Sequence, residues 1–346
     1  MKAVRWHGVH DVRVDDVAKP EIIDPEDAIL RVTTAAICGS DLHLYHGKVP
    51  KLRPGTTIGH EFVGVVDAVG PGVRSVEPGQ RYVASMATAC GRCSACIAGT
   101  HMGCGRYALF GYGDLFGGLD GGQAEYVRVP IADVTLSPIS DGLSDEQAIF
   151  VGDILSTAYT SCDEIGLEHG DIAVVVGAGP VGQLAVQCAQ LSTPSAVYVV
   201  DLVEERLQQA AATGAVPINA AESDPRKRLL ELTGGRRADV VIEAVGNAKS
   251  LETAWKLAGT SGRIALAGFL VDEPFPDSAG RTWLRNLTVR TIVGQPIKYR
   301  DRLTRLIEAG KLAPEGIITD RVPIDGAVDA YKRLDRREIV KVVMSF

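Results

Sequence analysis

An unbroken apolar run, Ile172-Ala-Val-Val-Val176, leads into Gly177-Ala-Gly179-Pro180-Val181-Gly182. Val181, Leu184, Ala185, Cys188 and Leu191 then recur at helical spacing, and a second apolar run ends on Asp201. The pattern predicts strand, glycine turn, amphipathic helix and strand, in that order. The alternation continues beyond it. Helices are expected over 204–213, after Asp224-Pro225 and over 251–258, with strands over 238–243, 263–268 and 287–293. About six strands result, enough for a doubly wound parallel sheet. The chain before residue 140 has another rhythm. Alternation around Val12-Arg-Val, through 28–37 and through the Val/Gly-rich 62–70 predicts short strands, separated by turns at Gly70-Pro71-Gly72 and Glu77-Pro-Gly-Gln80. Residues 140–166 are expected to be helical, opened by a capping box between Ser144 and Gln147. Past residue 298 the pattern changes again, to helices over 299–309 and 327–334 and a closing strand over 339–344.

Each part of the central segment suits a dinucleotide. Gly177 permits the tight turn, Gly179 lets the backbone approach a pyrophosphate, and Gly182 lets the helix pack close on the sheet. The N-terminus of the helix that follows offers free N–H groups and a positive dipole end to phosphate. Asp201 stands where a carboxylate accepts from the adenosine ribose hydroxyls and repels a 2′-phosphate, which favours NAD over NADP.

Composition narrows the class. The chain has 346 residues, 46% hydrophobic and 23% charged, which suits a large core and about two domains. A net charge of −7 argues against a nucleic-acid binder. No apolar run reaches the roughly 18 residues that cross a membrane. The first residues alternate like a strand rather than forming a signal peptide, so a cytoplasmic protein is expected. Four of the seven cysteines, Cys90, Cys93, Cys96 and Cys104, fall within fifteen residues. Four thiolates so spaced can close a tetrahedron around Zn²⁺ with no open position, a structural site, although thiolates also hold iron–sulfur clusters.

Cys38-Gly-Ser40-Asp41-Leu-His43 and Gly59-His60-Glu61 concentrate metal-ligating and proton-carrying groups in 24 positions. Alone, Cys38 and His60 read as core residues and Asp153 as a helix cap. Taken with the cysteine lobe, the glycine motif and Asp201, the chain resembles the zinc-dependent medium-chain alcohol dehydrogenases over essentially its whole length. The resemblance implies a GroES-like β-barrel catalytic domain (1–152 and 296–346) with a Rossmann NAD-binding domain (153–295) inserted, and a homodimer or homotetramer. It implies that Cys38 and His60 bind a catalytic zinc, with Asp153 at the position where many members carry a cysteine. That departure, with the 118–130 and 152–157 segments, resembles the glutathione-independent formaldehyde dehydrogenase-like branch. Asp41 would orient His60, and Glu61 would be a supporting group or alternating ligand. Thr157 and Val181 would pack behind the nicotinamide, and Arg206 would sit beside the adenosine ribose. Ser40 and His43 would relay the proton.

The implied activity is hydride transfer between an alcohol or hydrated aldehyde and NAD, with two Zn²⁺ per chain. A polyol or sugar dehydrogenase, suggested by His46-Gly47, and an aldehyde dismutase with retained NAD are the alternatives within enzymes. A non-catalytic cofactor-binding protein is the alternative outside them. Loops 110–119 and 269–283 are expected to supply pocket walls.

Overall fold

Ile172–Val176 is buried at every position, because parallel neighbours flank it on both edges and helices cover the sheet. The computed structural model describes residues 1–269 and 274–346. It divides into two compact units, Met1–Ser156 with Gln295–Phe346, and Thr157–Gly294. The 269–283 loop belongs to the second, and its residues 270–273 lie outside the described residues.

The second unit is built on six parallel strands. Across the sheet they run Val216–Asn219, Ala196–Asp201, Ile172–Val176, Ala238–Glu243, Ala258–Leu266 and Thr288–Thr291. Numbered along the chain this is the order 3-2-1-4-5-6, which reverses direction beside Ile172–Val176. Caps fix where the helices begin. Asp224 accepts from the Lys227 N–H, and Asn247 forms a reciprocal capping box with Ser250. Val174, Val176, Val200, Ile218, Leu251 and Trp255 share one core, each fully buried aliphatic side chain contributing about 1.5–3 kcal/mol.

The first unit is antiparallel for the most part. Ala28–Ile37 is its axis. Glu61–Val69 lies on one side, and Val342–Ser345 and Tyr126–Val129 pair with opposite halves of the other. The register sets Glu61 opposite Ala36 and Val342 opposite Ile37, so the chain's last strand borders the segment leading to Cys38. A hairpin, Lys2–Gly8 with Asp11–Asp16, forms a separate sheet with Thr56–Thr57. Val4, Leu30, Val32, Ile37, Phe62 and Met344 belong to one core.

The expected helix over 140–166 is instead broken. The Ser144 capping box opens a short helix, Asp145–Ala148, followed by a 3-10 turn, Ile149–Gly152, and a second helix, Ile154–Glu164. Asp153 between them has φ −151° and ψ −87°. The break has a packing cause: a Cβ on Gly152 would lie 2.2 Å from the Ala84 carbonyl oxygen, so the chain is pressed against the strand Arg81–Ala84. Among the described residues no helix is long and apolar enough to cross a membrane.

Candidate active site

Cys38 follows directly on the end of Ala28–Ile37, and His60 directly precedes Glu61–Val69, the strand paired with it. Asp153 occupies the break described above. Three separate stretches of sequence therefore bring Cys38, His60, Glu61 and Asp153 together, all buried, with their ligand atoms within 4.8 Å of one another. The His60 Nε2 atom is 3.1 Å from Asp153 Oδ2, and the Cys38 thiol is 3.7 Å from the same oxygen.

Other residues hold these four in place. His60 Nδ1 is 3.3 Å from Asp41 Oδ1, a charge contact without hydrogen-bond alignment. The other Asp41 oxygen accepts from the Cys38 N–H at 3.0 Å and from Gln123 Nε2 at 3.1 Å. Gln123 in turn accepts from the Tyr331 hydroxyl at 2.9 Å. Lys341, fully buried, donates to Glu61 Oε2 at 2.5 Å and to the Ile37 carbonyl at 3.1 Å. The second Glu61 oxygen is buried and has no hydrogen-bond partner among the described residues. Tyr112 stands edge-on to His60 at 5.4 Å.

The electrostatics favour a cation. Burial pushes the Cys38 thiol up, and the Glu61 and Asp153 carboxylates add to it. Burial opposes charge on His60, yet Asp41 and Asp153 outweigh it and hold the imidazole well above its ordinary value. Burial likewise resists ionisation of Asp153, and the hydrogen bond from His60 overcomes it. A thiol, an imidazole and carboxylates shielded from water form a donor set that zinc accepts at four positions or fewer. The orphaned Glu61 oxygen is the kind of buried polar atom that a bound cation satisfies.

The second cluster is the cysteine lobe. The sulfurs of Cys90 and Cys96 are 3.9 Å apart and those of Cys93 and Cys96 3.5 Å. Thiolates about 2.3 Å from a tetrahedral zinc stand about 3.8 Å from one another. All four cysteines are free of disulfides. Backbone N–H groups of Cys93, Cys90 and Arg106 point at the sulfurs of Cys90, Cys104 and Cys104, each at 3.3 Å. Such bonds from the Arg92 and Cys93 backbone bring the Cys90 thiol down to about 6, while burial pushes Cys96 up to about 12. Among the described residues the buried core there is Ala89, Cys96 and Cys104, with a few partly buried side chains against it. So small a core leaves the lobe dependent on another crosslink.

In the other unit, Gly177 has φ +98°, a Cβ on Gly182 would meet the Gly177 carbonyl at 1.8 Å, and the space over Gly179 is open. Gly179 caps the helix Pro180–Gln190 without a side-chain hydrogen bond, leaving its first turn available to an anion. Asp201 Oδ2 accepts from the Ala178 N–H at 2.6 Å, and Oδ1 from the N–H groups of Leu202 and Val203. The expected ribose ligand therefore also braces the glycine turn. Val181 lies in the helix's first turn, Thr157 on Ile154–Glu164, and Arg206 half-buried on Glu204–Ala212.

Ser40 caps the short helix Asp41–Tyr45, its hydroxyl 3.5 Å from His60 Nε2, and His43 lies within that helix. Burial, with Lys48 and His46 nearby, holds the His43 imidazole below its usual value. Lys341, Gln123, Tyr331 and Tyr112 carry no local signal that singles them out. Lys341 and Tyr331 are separated from their partners by 280 and 208 positions.

A thiol–imidazole–carboxylate centre, a four-cysteine lobe and a glycine-turn nucleotide fold together define a zinc-binding dehydrogenase. Residues 24–139 match the alcohol dehydrogenase GroES-like domain, and residues 180–309 match the zinc-binding dehydrogenase domain. The alcohol dehydrogenase from Thermus sp. ATN1 superposes with a TM-score of 0.93 at 41% identity, covering 100% of this chain and 99% of that one. An uncharacterized zinc-type alcohol dehydrogenase-like protein of Bacillus subtilis is 34% identical, over 99% of this chain and 100% of its own length. An alcohol dehydrogenase of Cupriavidus necator is 33% identical, over 96% of this chain and 94% of its own. The chain belongs to the zinc-type medium-chain alcohol dehydrogenase family, with a GroES-like domain and a Rossmann-like domain.

Proposed function

We propose that the protein is a cytoplasmic, NAD-dependent oxidoreductase acting on a small alcohol or hydrated aldehyde, with one zinc at the buried centre and one in the cysteine lobe. The observation that carries this reading is the convergence of Cys38, His60, Asp153 and Glu61 within 4.8 Å. Cys38, His60 and Asp153 would hold the first zinc, and Cys90, Cys93, Cys96 and Cys104 the second. When bound, the first supplies Lewis acidity to an alcohol oxygen, and NAD⁺ accepts the hydride.

The chain's own groups do the rest. Asp41 fixes the His60 ring, so its Nε2 faces the centre. Lys341 holds one Glu61 oxygen and leaves the other for the cation. Ser40 and His43 carry the alcohol proton outward; the depressed value of His43 keeps its imidazole neutral, and so receptive, at pH 7. The helix start at Gly179, Pro180, Val181 and Gly182 takes the pyrophosphate and Asp201 the ribose, which selects NAD. Arg206 flanks the ribose, and Thr157 and Val181 back the nicotinamide. Asp153 in place of a cysteine supports the formaldehyde dehydrogenase-like branch and hence hydrated aldehydes among the substrates.

A homo-oligomer is the state this reading favours. Thr288–Thr291 is an edge strand with mostly exposed residues, and Trp283 and Leu284 just before it are 78% and 73% exposed. An open strand edge beside bare apolar side chains suits pairing with a second copy.

The test is NADH formation across primary and secondary alcohols, polyols and hydrated aldehydes, with NADP⁺ in parallel and zinc content measured on the same sample. Turnover of an alcohol or hydrated aldehyde with NAD⁺ supports the proposal. Preference for NADP⁺, or for polyols alone, refutes its cofactor or substrate assignment. No turnover with zinc bound and NAD retained on the purified protein replaces it with dismutation.

A further inference from the structure

Three side chains outside both cysteine-containing centres also converge. His46 Nε2 lies 2.7 Å from Asp335 Oδ1, and a ring nitrogen of His10 comes within 4.8 Å of both groups. His46 caps the C-terminal end of Asp41–Tyr45, Asp335 ends the helix Ala327–Asp335, and His10 is at the tip of the hairpin between Lys2–Gly8 and Asp11–Asp16. From these positions we propose a further metal site: His10, His46 and Asp335 bind a transition-metal dication of the zinc, nickel or copper class, which ties the hairpin tip to the ends of the two helices.

The histidine at the tip is the informative residue. Its φ is +59°, a left-handed conformation that few non-glycine residues other than asparagine, aspartate and histidine adopt. It is held there firmly. The His10 N–H donates to the Tyr45 carbonyl at 2.7 Å, and its ring stands edge-on to Tyr45 at 4.9 Å and 5.1 Å from the His46 ring. The neighbouring Val9 presses on the turn after the helix, where a Cβ on Gly47 would come within 2.6 Å of its methyl group. Backbone packing thus delivers the third donor to a His–Asp pair, and the pair itself is half-exposed, where such pairs contribute little alone.

The donor set fixes the class of ion. Two imidazoles and a carboxylate suit zinc, nickel or copper, whereas calcium and magnesium prefer oxygen alone. Ligands about 2.1 Å from a tetrahedral zinc stand about 3.4 Å apart. The His46–Asp335 contact must open by about 0.7 Å and the His10 contacts close somewhat, which side-chain rotation supplies. With three protein ligands, the remaining position faces solvent and takes water.

The test is a zinc titration of the tag-free protein, already loaded with whatever metal it retains through purification. Added metal is read by equilibrium dialysis with elemental analysis, and the unfolding midpoint is followed in parallel. The wild type is expected to take up one further equivalent and to gain a few degrees in the midpoint. His10→Asn keeps a residue that tolerates the left-handed turn, and Asp335→Asn keeps the shape of the helix end. Both are expected to lose the added equivalent and the thermal gain while keeping the original metal content. Because the increment is read, an error in the number of zincs proposed above leaves this result intelligible. No added equivalent in the wild type overturns the site, as does equal uptake by His10→Asn.

Discussion

Lys341 buries its ammonium group 2.5 Å from a carboxylate oxygen of Glu61, 280 positions earlier in the chain, with neither side chain appreciably exposed. Burial alone would strip the charge from Lys341, but the Glu61 carboxylate reverses that and holds its pKa raised. Lys341→Met is therefore expected to cost about 3–5 kcal/mol, the usual penalty of stranding a buried charge. Adding Glu61→Gln should recover much of the loss. Denaturant unfolding of the single and double variants measures both, and equal stability of Lys341→Met and the wild type would show that the pair does not act as a unit.

Asp153→Ala removes a carboxylate oxygen that lies 3.1 Å from His60 Nε2 and 3.7 Å from the Cys38 thiol. Metal affinity at the buried centre is expected to fall at least about 100-fold, the upper end of the effect of losing an outer partner of a metal ligand. Elemental analysis after dialysis should then find zinc in the cysteine lobe only. Full zinc retention would return Asp153 to the role of a helix-start residue.

Cys104→Ser should do the converse. The sulfur of Cys104 accepts two backbone N–H groups, and its lobe has scarcely any apolar core. One zinc equivalent is expected to be lost, with early proteolysis within 90–104, while the metal at Cys38 stays. Limited proteolysis with metal analysis checks this.

Asp201→Ser is expected to shift the ratio of NAD⁺ to NADP⁺ use toward NADP⁺ by about tenfold or more, equivalent to about 1.4 kcal/mol, if Asp201 selects NAD as proposed. It should also cost stability, because Ala178 and Leu202 lose their acceptor. The ratio of kcat/KM values for the two cofactors reads the first effect, and thermal unfolding the second.

His43 has its pKa lowered by burial, with Lys48 and His46 assisting, so its neutral form is already dominant at the ordinary histidine value of 6.5. In the proposed alcohol oxidation the neutral form would accept the proton. Activity that depends on it should rise with pH through an inflection below 6.5 and stay level above. His43→Ala should lose roughly 100-fold at the acid end of the profile, with the deficit shrinking as hydroxide becomes available. A ratio of wild-type to variant rates that does not change with pH would remove His43 from proton transfer.

What the sequence made legible follows the range of the interactions. The strand–turn–helix around Gly177 to Gly182 is local, and its hydrophobic period is enough to identify it. The same holds for the cysteine lobe, whose ligands lie within fifteen residues. Cys38, His60 and Asp153 look like core or capping residues one at a time; the clustering of ligand-type residues over 38–61 raises the first two, and only the resemblance singles out Asp153. The break at Gly152-Asp153 was hidden, because the helical pattern of 140–166 carries no trace of the Ala84 carbonyl that forces the chain aside. Gln123, Tyr331 and Lys341 were hidden for the same reason: pairing across the fold leaves no periodic mark.

The position of Val342–Ser345 between Ala28–Ile37 and Asp320–Pro323 bears on how the protein is made. A ribosome delivers the first stretch of the GroES-like unit, then the whole Rossmann-like unit, and only then this inner strand. At about 5–20 residues per second, the edge of Ala28–Ile37 that awaits Val342 stays unpaired for roughly ten to forty seconds after Ser156 has emerged. Through that interval Glu61 has no lysine and Cys38 lacks a finished wall. The cysteine lobe is closed by residues close together in sequence, so on the two-zinc reading proposed above the lobe is expected to fill during translation, before the buried centre.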